Sequence, residues 1–193
     1  MDEMIFFRKN AILSNLCKEY NDKWASCHGD KDKLMRLVLM RQSAPFFAYY
    51  CYNGLGLTKD YCKREFGDYI NGREFNDVDG IDGFTSAMYI DPSTGFEISS
   101  DTAQLLWCNN IDVIIPQTKC STLYVSNNSE VHFVLNGYNS IHIYLFDDSK
   151  VIIDDADETC GIIVYRYSDK AEVEVDKYCL TKNIRIFDKT LKL

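Results

Sequence analysis

The chain has 193 residues, of which 46% are hydrophobic and 26% charged, so it is long enough to bury a sizeable core. Residues 1–73 carry 12 basic and 9 acidic side chains, whereas residues 74–193 carry 9 basic and 20 acidic ones, which together give the net charge of −8. The acidic second half repels phosphate groups, and the sequence contains no apolar stretch of bilayer length, so neither a nucleic-acid partner nor a membrane span is expected.

The N-terminal residues and the cysteines indicate synthesis in a cytoplasm. The chain begins with acidic residues followed by a short apolar stretch, which is the wrong order for a secretory signal peptide. The eight cysteines are scattered, lie mostly within apolar stretches and include no C-x-x-C pair, so we interpret them as buried thiols. Only Cys27 and His28 place two metal-ligand types together, and one adjacent pair cannot form a tetrahedral zinc site. No metal ligand and no cofactor is therefore predicted.

Amphipathic helices are predicted in the first 73 residues. Apolar residues recur at intervals of three and four from residue 10 to residue 24, which places them on one helix face. A second helix is predicted from the N-cap Asp30 to about residue 42, and a third over residues 59–70 after the cap Thr58. We interpret residues 1–73 as a helical docking domain. Four apolar residues of its first helix are candidates for contact with a partner: Leu13, Leu16, Tyr20 and Trp24.

Residues 74–104 are predicted to form a joint. Asp77, Asp79 and Asp82 are spaced around a glycine as in a calcium-binding loop, but the segment lacks the closing glutamate of an EF-hand, so a solvated turn is predicted. Calcium binding stays open as an alternative here and at the acidic residues 147–158. The segment SSDTAQLLWCNN, residues 99–110, is predicted to be a short capping helix that begins at Ser100 or Asp101.

From about residue 105 the apolar residues alternate with period two, and polar corners recur every 9 to 11 residues. Strands are predicted over residues 111–115, 122–126, 131–135, 141–146, 151–154, 162–167, 172–175 and 183–187. Among the corners only residues 136–137 form Asn-Gly, whereas Asn, Asp and Ser recur at equivalent positions, which favours a β-solenoid over the alternative, a β-sandwich. The predicted fold class is α+β, with a helical head followed by a small β-solenoid over residues 105–193.

Two resemblances accompany this pattern. The segments NNSEVHFV, YNSIHIYL and DDSKVIID resemble bacterial decapeptide repeats of the form N-S-x-V-x-A, with Val, Ile or Tyr where the repeat has Ala. Most of the chain, including YYCYNGLGLTKDYCKREFGDYING and YNSIHIYLFDDS, resembles small virion-associated proteins of crAss-like phages of gut Bacteroidales. This resemblance implies a virion subunit with a helical head and a β-rod, in a head or tail fibre, assembled in the cytoplasm of a bacterial host. It implies no functional residues.

The functional expectation is a non-enzymatic structural component of a phage particle, a fibre or fibre-attachment subunit. Its expected partners are other virion proteins and its own copies, with a trimer favoured. The C-terminal segment alternates apolar residues with charged ones, as an edge strand does. The predicted contact residues there are Ile184, Ile186, Phe187, Leu191 and Leu193.

Two other functions remain open. The acidic pairs at residues 147–148, 154–155 and 157–158, together with many tyrosines, fit a carbohydrate-binding or carbohydrate-cleaving module. Solvated corners that keep a rod soluble are the simpler interpretation of these acidic residues. The second alternative is an adaptor protein directed at the host.

Overall fold

The α-helices that the computed structural model describes lie in the first 70 residues, its described strands lie in residues 74–188, and a short 3-10 turn, Val78–Gly80, lies between the first two of these strands. The structure describes residues 3–13, 18–55, 57–116, 121–136, 140–155, 161–177, 179 and 183–190. The helices are α1 (Glu3–Leu13), α2 (Lys18–Ser26), α3 (Lys31–Leu39), α4 (Ala44–Tyr52), α5 (Lys59–Cys62) and α6 (Asp68–Ile70), and a π-helical turn, Lys63–Gly67, joins α5 to α6. Residues 3–70 are named the helical head.

Side-chain caps fix the starts of two helices, and both caps confirm the prediction. The Asp30 carboxylate accepts hydrogen bonds from the N–H groups of Asp32 and Lys33 at the start of α3. The Thr58 hydroxyl accepts from the Tyr61 N–H at the start of α5. The helix predicted over residues 10–24 corresponds to the end of α1 and most of α2, and residues 14–17 between them lie outside the described residues.

The described strands form two sheets. Sheet A contains β1 (Glu74–Asn76), β2 (Thr85–Ile90), β4 (Thr102–Leu106), β6 (Thr122–Ser126), β8 (Ser140–Leu145), β10 (Gly161–Arg166) and β12 (Ile184–Asp188), in that order. Sheet B contains β11 (Glu172–Val175), β9 (Lys150–Asp155), β7 (Glu130–Leu135), β5 (Ile111–Ile115) and β3 (Phe96–Glu97), in that order.

From β2 onward the chain alternates between the two sheets, and each strand pairs in parallel with the strand one full coil earlier. In the central coils the paired residues are 20 positions apart, as in Thr102 with Thr122 and Val131 with Val151. One coil therefore contains two of the ten-residue phrases, one for each sheet. The parallel pairing confirms the predicted β-solenoid and excludes the β-sandwich alternative, whose strands pair antiparallel.

The solenoid interior consists of rows of apolar side chains. One row along sheet A contains Ala87, Ala103, Leu123, Ile143 and Val164. These five residues are at most 1% exposed, so each coil buries its apolar side chains against those of its neighbours. The side chains of this row become larger along the chain, from alanine to leucine and isoleucine. Near the alanine end of the row, the rings of Tyr89 and Phe96 stack at 3.9 Å between ring centres.

The polar residues that recur in the sequence form the corner between sheet A and sheet B. The first corner residue has a left-handed backbone in four successive coils, with φ between 44° and 60° at Asp91, Trp107, Asn127 and Asp147. Asn and Asp tolerate this conformation better than other residues with a side chain. The corners thus use positive φ angles without the Asn-Gly pair of a tight hairpin.

A ladder of hydrogen bonds inside this corner links successive coils. The Cys108 N–H donates to Ser129 Oγ, and the Ser129 N–H donates to Ser149 Oγ, each at 3.0 Å. The equivalent residue of the next coil, Ala171, has no hydroxyl, and the Ser149 N–H donates instead to the carbonyl of Phe146. The repeated serine of the sequence therefore satisfies the backbone of the preceding coil.

The predicted capping helix in residues 99–110 is wrong, because Thr102–Leu106 forms β4 within sheet A. The Asp101 carboxylate does not cap a helix; it accepts hydrogen bonds from the N–H and the hydroxyl of Thr85 at 2.8 and 2.9 Å. Pairing with β2 and β6 outweighs the helix propensity of Ala, Gln and Leu in this segment. The solenoid therefore includes β2, β3 and β4, which lie within the residues interpreted as a joint.

The helical head covers the outer face of sheet A at its N-terminal coils. Met88, Ile90 and Leu106 belong to β2 and β4, and they are buried in the apolar core of the head. Further along the sheet, α4 lies against β6, where Ala48 packs with Tyr124. Both faces of sheet A are therefore buried at these strands, and the head and the solenoid share packed surfaces.

Candidate functional site

The C-terminal end of the solenoid leaves one strand of each sheet at an edge, as far as the described residues extend. β12 is the last strand of sheet A and pairs with β10, and β11 is the last strand of sheet B and pairs with β9. Edge strands of this kind present backbone N–H and C=O groups that can pair with another chain. We name β11 and β12 together the open end.

Apolar side chains that continue the interior rows are exposed at the open end. Ile186 is 45% and Val175 is 47% exposed, although the paired residues one coil earlier, Val164 and Ile153, are fully buried. Phe187, on the outer face of sheet A, is 43% exposed. Within the part of the chain that the structure describes, no further coil covers these side chains.

Three of the predicted C-terminal contact residues, Ile184, Ile186 and Phe187, lie on β12, and Leu191 and Leu193 lie outside the described residues. Sequence reasoning missed the two valines of β11, Val173 and Val175. These valines alternate with glutamates, which is the same edge-strand pattern that pointed to β12.

Tyr20 and Trp24, two of the contact residues predicted in the first helix, belong to the helical head, which packs on β2, β4 and β6. Tyr20 lies on α2, and its hydroxyl donates to Gln42 Oε1 at 2.9 Å. Trp24 is partly buried against the apolar core of the head. Leu13 is the last residue of α1, and Leu16 lies outside the described residues. Tyr20 and Trp24 therefore contact other residues of the head and are not residues of the open end.

At the N-terminal edge of sheet A lies a short antiparallel strand. β1 pairs antiparallel with β2, and Phe75 at its centre is aligned with Ser86. Phe75 and the nearby Val78 are buried in the apolar core of the head. β1 therefore covers the edge of β2, and the side chain at its centre is packed against the head.

The two strands of the open end differ in charge. On β11, Glu174 forms an ion pair with Lys150 at 3.0 Å, and this hydrogen bond raises the pKa of Lys150. On β12, Arg185 is exposed, whereas Asp188 is already paired with Arg166 at 2.7 Å. The exposed side chains are therefore two glutamates on β11, of which Glu174 is paired with Lys150, and Arg185 at the centre of β12.

Stacked aromatic side chains on the outer face of sheet A lead from the head to the open end. Tyr124, Tyr144 and Tyr165 stack at 5.0 Å between ring centres, and Phe187 follows at 5.9 Å. They occupy paired positions on β6, β8, β10 and β12. Burial raises the pKa of Tyr124, which lies beneath α4, and that of Tyr144.

A groove of about 690 Å³ lies between the end of α4 and the last coils of the solenoid. Tyr49 and Tyr52 line the groove from α4, and Tyr167 lines it from the solenoid. Its polar lining includes Arg166 and Asp188, which form an ion pair with each other. The groove therefore combines aromatic rings with charged groups.

Asp147, the first of the acidic residues considered for catalysis, has a structural role. Its carboxylate accepts hydrogen bonds from the N–H groups of Asn127 and Asn128, at 2.6 and 3.0 Å, and from the Ser149 hydroxyl at 2.7 Å. Burial raises the pKa of Asp147, in opposition to these hydrogen bonds, which favour the charged form. The carboxylate thus holds the corner of the preceding coil.

Asp148 and Asp154, the described members of two acidic pairs, do not meet across one sugar-sized space. Asp148 lies at the corner before β9 and accepts a hydrogen bond from the Tyr52 hydroxyl at 3.1 Å, whereas Asp154 lies near the far end of β9. Six residues of extended strand separate two Cα atoms by about 20 Å. Glycoside cleavage requires two carboxyl groups within roughly 5 to 9.5 Å of each other. Asp157 and Glu158 lie outside the described residues.

The calcium-like segment uses its carboxylates within the chain. Asp77 accepts a hydrogen bond from the Gly83 N–H at 2.9 Å, and Asp79 accepts from Arg41 Nε at 3.0 Å. Among the residues that the structure describes, no three His, Cys, Asp or Glu side chains converge as metal ligands would. The glycine-rich turn is therefore held by its own hydrogen bonds.

The cysteines whose positions are described carry free thiols: Cys27, Cys51, Cys62, Cys108 and Cys179. All of these except Cys179 are buried. Burial raises the pKa of Cys51 and that of Cys108 to about 12, so both thiols are protonated and unreactive at neutral pH. The positions agree with the interpretation of these residues as small apolar side chains.

No protein-family model matches the chain, and neither a curated protein nor a solved structure matches it. No helix in the described ranges has both the length and the apolar composition needed to cross a membrane. The open end, the groove and the head are therefore the features from which a function must be inferred.

Proposed function

We propose that this chain is a non-enzymatic structural subunit of a phage particle, a fibre or fibre-attachment component that assembles through the open end of its solenoid. The proposed partners are other virion proteins and further copies of the chain. The proposed location is the virion, after assembly in the cytoplasm of a bacterial host.

The open end is the observation that carries this proposal. Ile186 and Val175 continue rows that are buried elsewhere in the solenoid, yet they are nearly half exposed. Burying apolar area of this kind contributes about 25 cal/mol per Å², and edge strands supply backbone pairing as well. The helical head would then contact the rest of the particle, and the resemblance to virion-associated proteins of crAss-like phages supports the same assignment.

The proposal is tested by tandem mass spectrometry of purified particles. We expect the chain in wild-type particles, and we expect its loss from them when Ile186→Asp places a charge at the open end. Ile114→Asp is the matched control, because Ile114 is also a partly exposed isoleucine, at 38%, on the outer face of sheet B. Absence of the wild-type chain from particles, or equal incorporation of both variants, would contradict the proposal.

The groove beside α4 favours a second candidate, carbohydrate binding. Tyrosine rings stack on sugar faces, and charged groups such as Arg166 and Asp188 hydrogen-bond sugar hydroxyls. The groove lies next to the open end, so a fibre subunit could carry both surfaces. We rank this candidate second because the charged groups named for sugar binding, Arg166 and Asp188, already form an ion pair with each other.

A glycan array with the full chain tests this second candidate. If the groove binds sugars, Tyr52→Ala should abolish the signal, because Tyr52 lines the groove. Tyr20→Ala is the control, because Tyr20 lies on α2 and does not line the groove. Absence of binding by the wild-type chain would remove the candidate.

A further inference from the structure

We infer that the occupant of the open end is a second copy of this chain, joined tail to tail so that β12 of each copy pairs antiparallel with β11 of the other. The inference rests on the proposed assembly role, for which it names the partner and its geometry. In this pairing, sheet A of each copy would continue into sheet B of the other copy. The two solenoid interiors would then join into one apolar core.

The free backbone groups of the two strands match such a pairing. The carbonyl of Asn183 and the N–H of Lys189 bond to β10, so by the alternation of a parallel ladder Ile184, Ile186 and Asp188 direct their N–H and C=O groups away from it. The N–H groups of Glu172 and Asp176 bond to β9 in the same way. Val173 and Val175 therefore carry the outward groups of β11.

The winding of the solenoid selects which strands meet. β12 lies half a coil beyond β11, a step of about 2.4 Å if strands are spaced about 4.8 Å apart. If β12 of one copy paired with β12 of the other copy, the two β11 strands would lie about 4.8 Å too far apart to form hydrogen bonds. If β12 of each copy meets β11 of the other copy, the distances across the two pairs of strands are equal. Both pairs can then form hydrogen bonds at the same time. A twofold axis produces this arrangement, which is closed and does not grow into a filament.

One register satisfies both the apolar and the charged side chains. It places Ile184 opposite Val175 of the second copy and Ile186 opposite Val173 of the second copy, all facing the interior. Arg185 then lies opposite Glu174 of the second copy on the outer face, where it would join the existing ion pair of Glu174 with Lys150. Pairing β11 with itself would instead oppose Glu174 to Glu174 of the second copy, and like charges directly opposite are unfavourable.

A charge exchange tests this register in solution. We expect wild type to be a dimer by sedimentation, and we expect Arg185→Glu or Glu174→Arg to raise the dissociation constant at least about tenfold. The double variant, Arg185→Glu with Glu174→Arg, should recover part of the lost affinity, because the two charges are exchanged while Lys150 beside residue 174 keeps its positive charge. Glu130→Arg is the control, because Glu130 lies on the same face of sheet B but on the interior strand β7.

Disulfide trapping tests the strand pairing independently. Hydrogen-bonded antiparallel partners have Cα atoms about 5.5 Å apart, which a disulfide can span. Ile184→Cys combined with Val175→Cys should give a covalent dimer on oxidation, and wild type oxidised in parallel controls for Cys179. A covalent dimer from Ile186→Cys alone would indicate β12 on β12 and would overturn the inference.

The outcomes separate this inference from the proposed function. A wild-type chain that is a monomer or a trimer in solution overturns the twofold pairing, whether or not it enters particles. Incorporation of that monomer or trimer into particles through Ile186 would leave the assembly role standing. A dimer that is absent from particles would sustain the pairing and remove the virion role.

Discussion

The amide N–H of Ser129 donates a hydrogen bond to the hydroxyl of Ser149, one coil further along the solenoid, at 3.0 Å. The same hydroxyl donates to the Asp147 carboxylate at 2.7 Å. Ser129 and Ser149 are at most 1% exposed, so water cannot replace these bonds. One side chain therefore connects the backbone of one coil to a buried charge in the next.

Ser149→Ala removes this connection. The Ser129 N–H would be left without a partner in a buried corner, which costs about 1 to 3 kcal/mol of unfolding free energy. Urea denaturation measures the loss. Ser140→Ala is the control, because Ser140 is the first residue of β8 and is exposed, and its effect should stay within about 0.5 kcal/mol. Equal losses for the two variants would show that the ladder contributes nothing.

Asp147→Asn tests the buried carboxylate of the same corner. An amide nitrogen in place of one carboxylate oxygen would face backbone N–H donors, so the variant should lose about 1 to 3 kcal/mol. Burial raises the pKa of Asp147 above its ordinary 3.8, so the folded chain holds this proton to a higher pH than the unfolded chain does.

The sign of the pH dependence follows from this raised pKa. Between the unfolded pKa and the raised folded pKa, the folded state binds more protons, so the contribution of Asp147 to stability falls as pH rises through that window. The Asp147→Asn variant should lack this component of the pH profile. Identical slopes in both proteins, measured by denaturation across that window, would exclude the assignment.

The sequence was sufficient to predict the solenoid where one face of each strand is exposed. Strands β7 and β8 alternate between buried and more exposed residues, so their period of two is visible. In β4 all five residues are buried, because the interior covers one face and the head covers the other. The alternation disappears there, and Ala103, Gln104 and Leu105 were interpreted as a helix.

The open end was predicted only in part for a different physical reason. Alternation of Ile184 and Ile186 with charged residues indicates an edge strand, and the structure places both on β12. The same alternation on β11 indicates an edge strand, but it does not show that β11 lies at the same end as β12, because that depends on where the winding of the coils stops. Val173 and Val175 therefore entered the candidate site only through the strand pairing.

Gly95→Ala tests the close approach of two coils in sheet B. A Cβ on Gly95 would lie 2.8 Å from the carbonyl oxygen of Asp112, so the backbone would have to move, at a cost of about 1 to 3 kcal/mol. Gly161→Ala is the control, because a Cβ there meets no atom within 4 Å. We expect this control to stabilise the chain by about 0.4 to 1 kcal/mol, as measured by thermal unfolding. A neutral Gly95→Ala variant would contradict the tight spacing.

Asp91→Asn tests an ion-pair contact between the solenoid and the head. Burial opposes the charge of Asp91, but ion pairs with Lys63 at 2.7 Å and Lys59 at 2.9 Å outweigh it and lower its pKa below 3.8. The contribution of Asp91 to stability is therefore present above pH 3.8 and is lost as pH falls through the folded pKa. Asparagine tolerates the left-handed backbone of residue 91, so the variant removes only the charge.

We expect Asp91→Asn to be less stable than wild type at neutral pH and to lose less stability on acidification. Denaturation at a series of pH values measures both effects. Lys63→Met should reproduce the loss at neutral pH, because it removes the shorter of the two ion pairs. If Asp91→Asn loses as much stability on acidification as wild type does, this part of the pH dependence does not come from Asp91.

Met88→Ala tests whether the head and the solenoid fold together. Met88 lies on β2 but is fully buried in the apolar core of the head, beside residues of α3 and α4. Truncating a buried methionine costs about 2 to 5 kcal/mol, whereas Ile114→Ala on the partly exposed outer face of sheet B should cost less. If the two parts share one transition, helical circular dichroism and hydrogen exchange of the strand amides should show the same loss for Met88→Ala. If the helices melt at lower denaturant while the strands keep their wild-type midpoint, the head is an independent folding unit and the coupling is wrong.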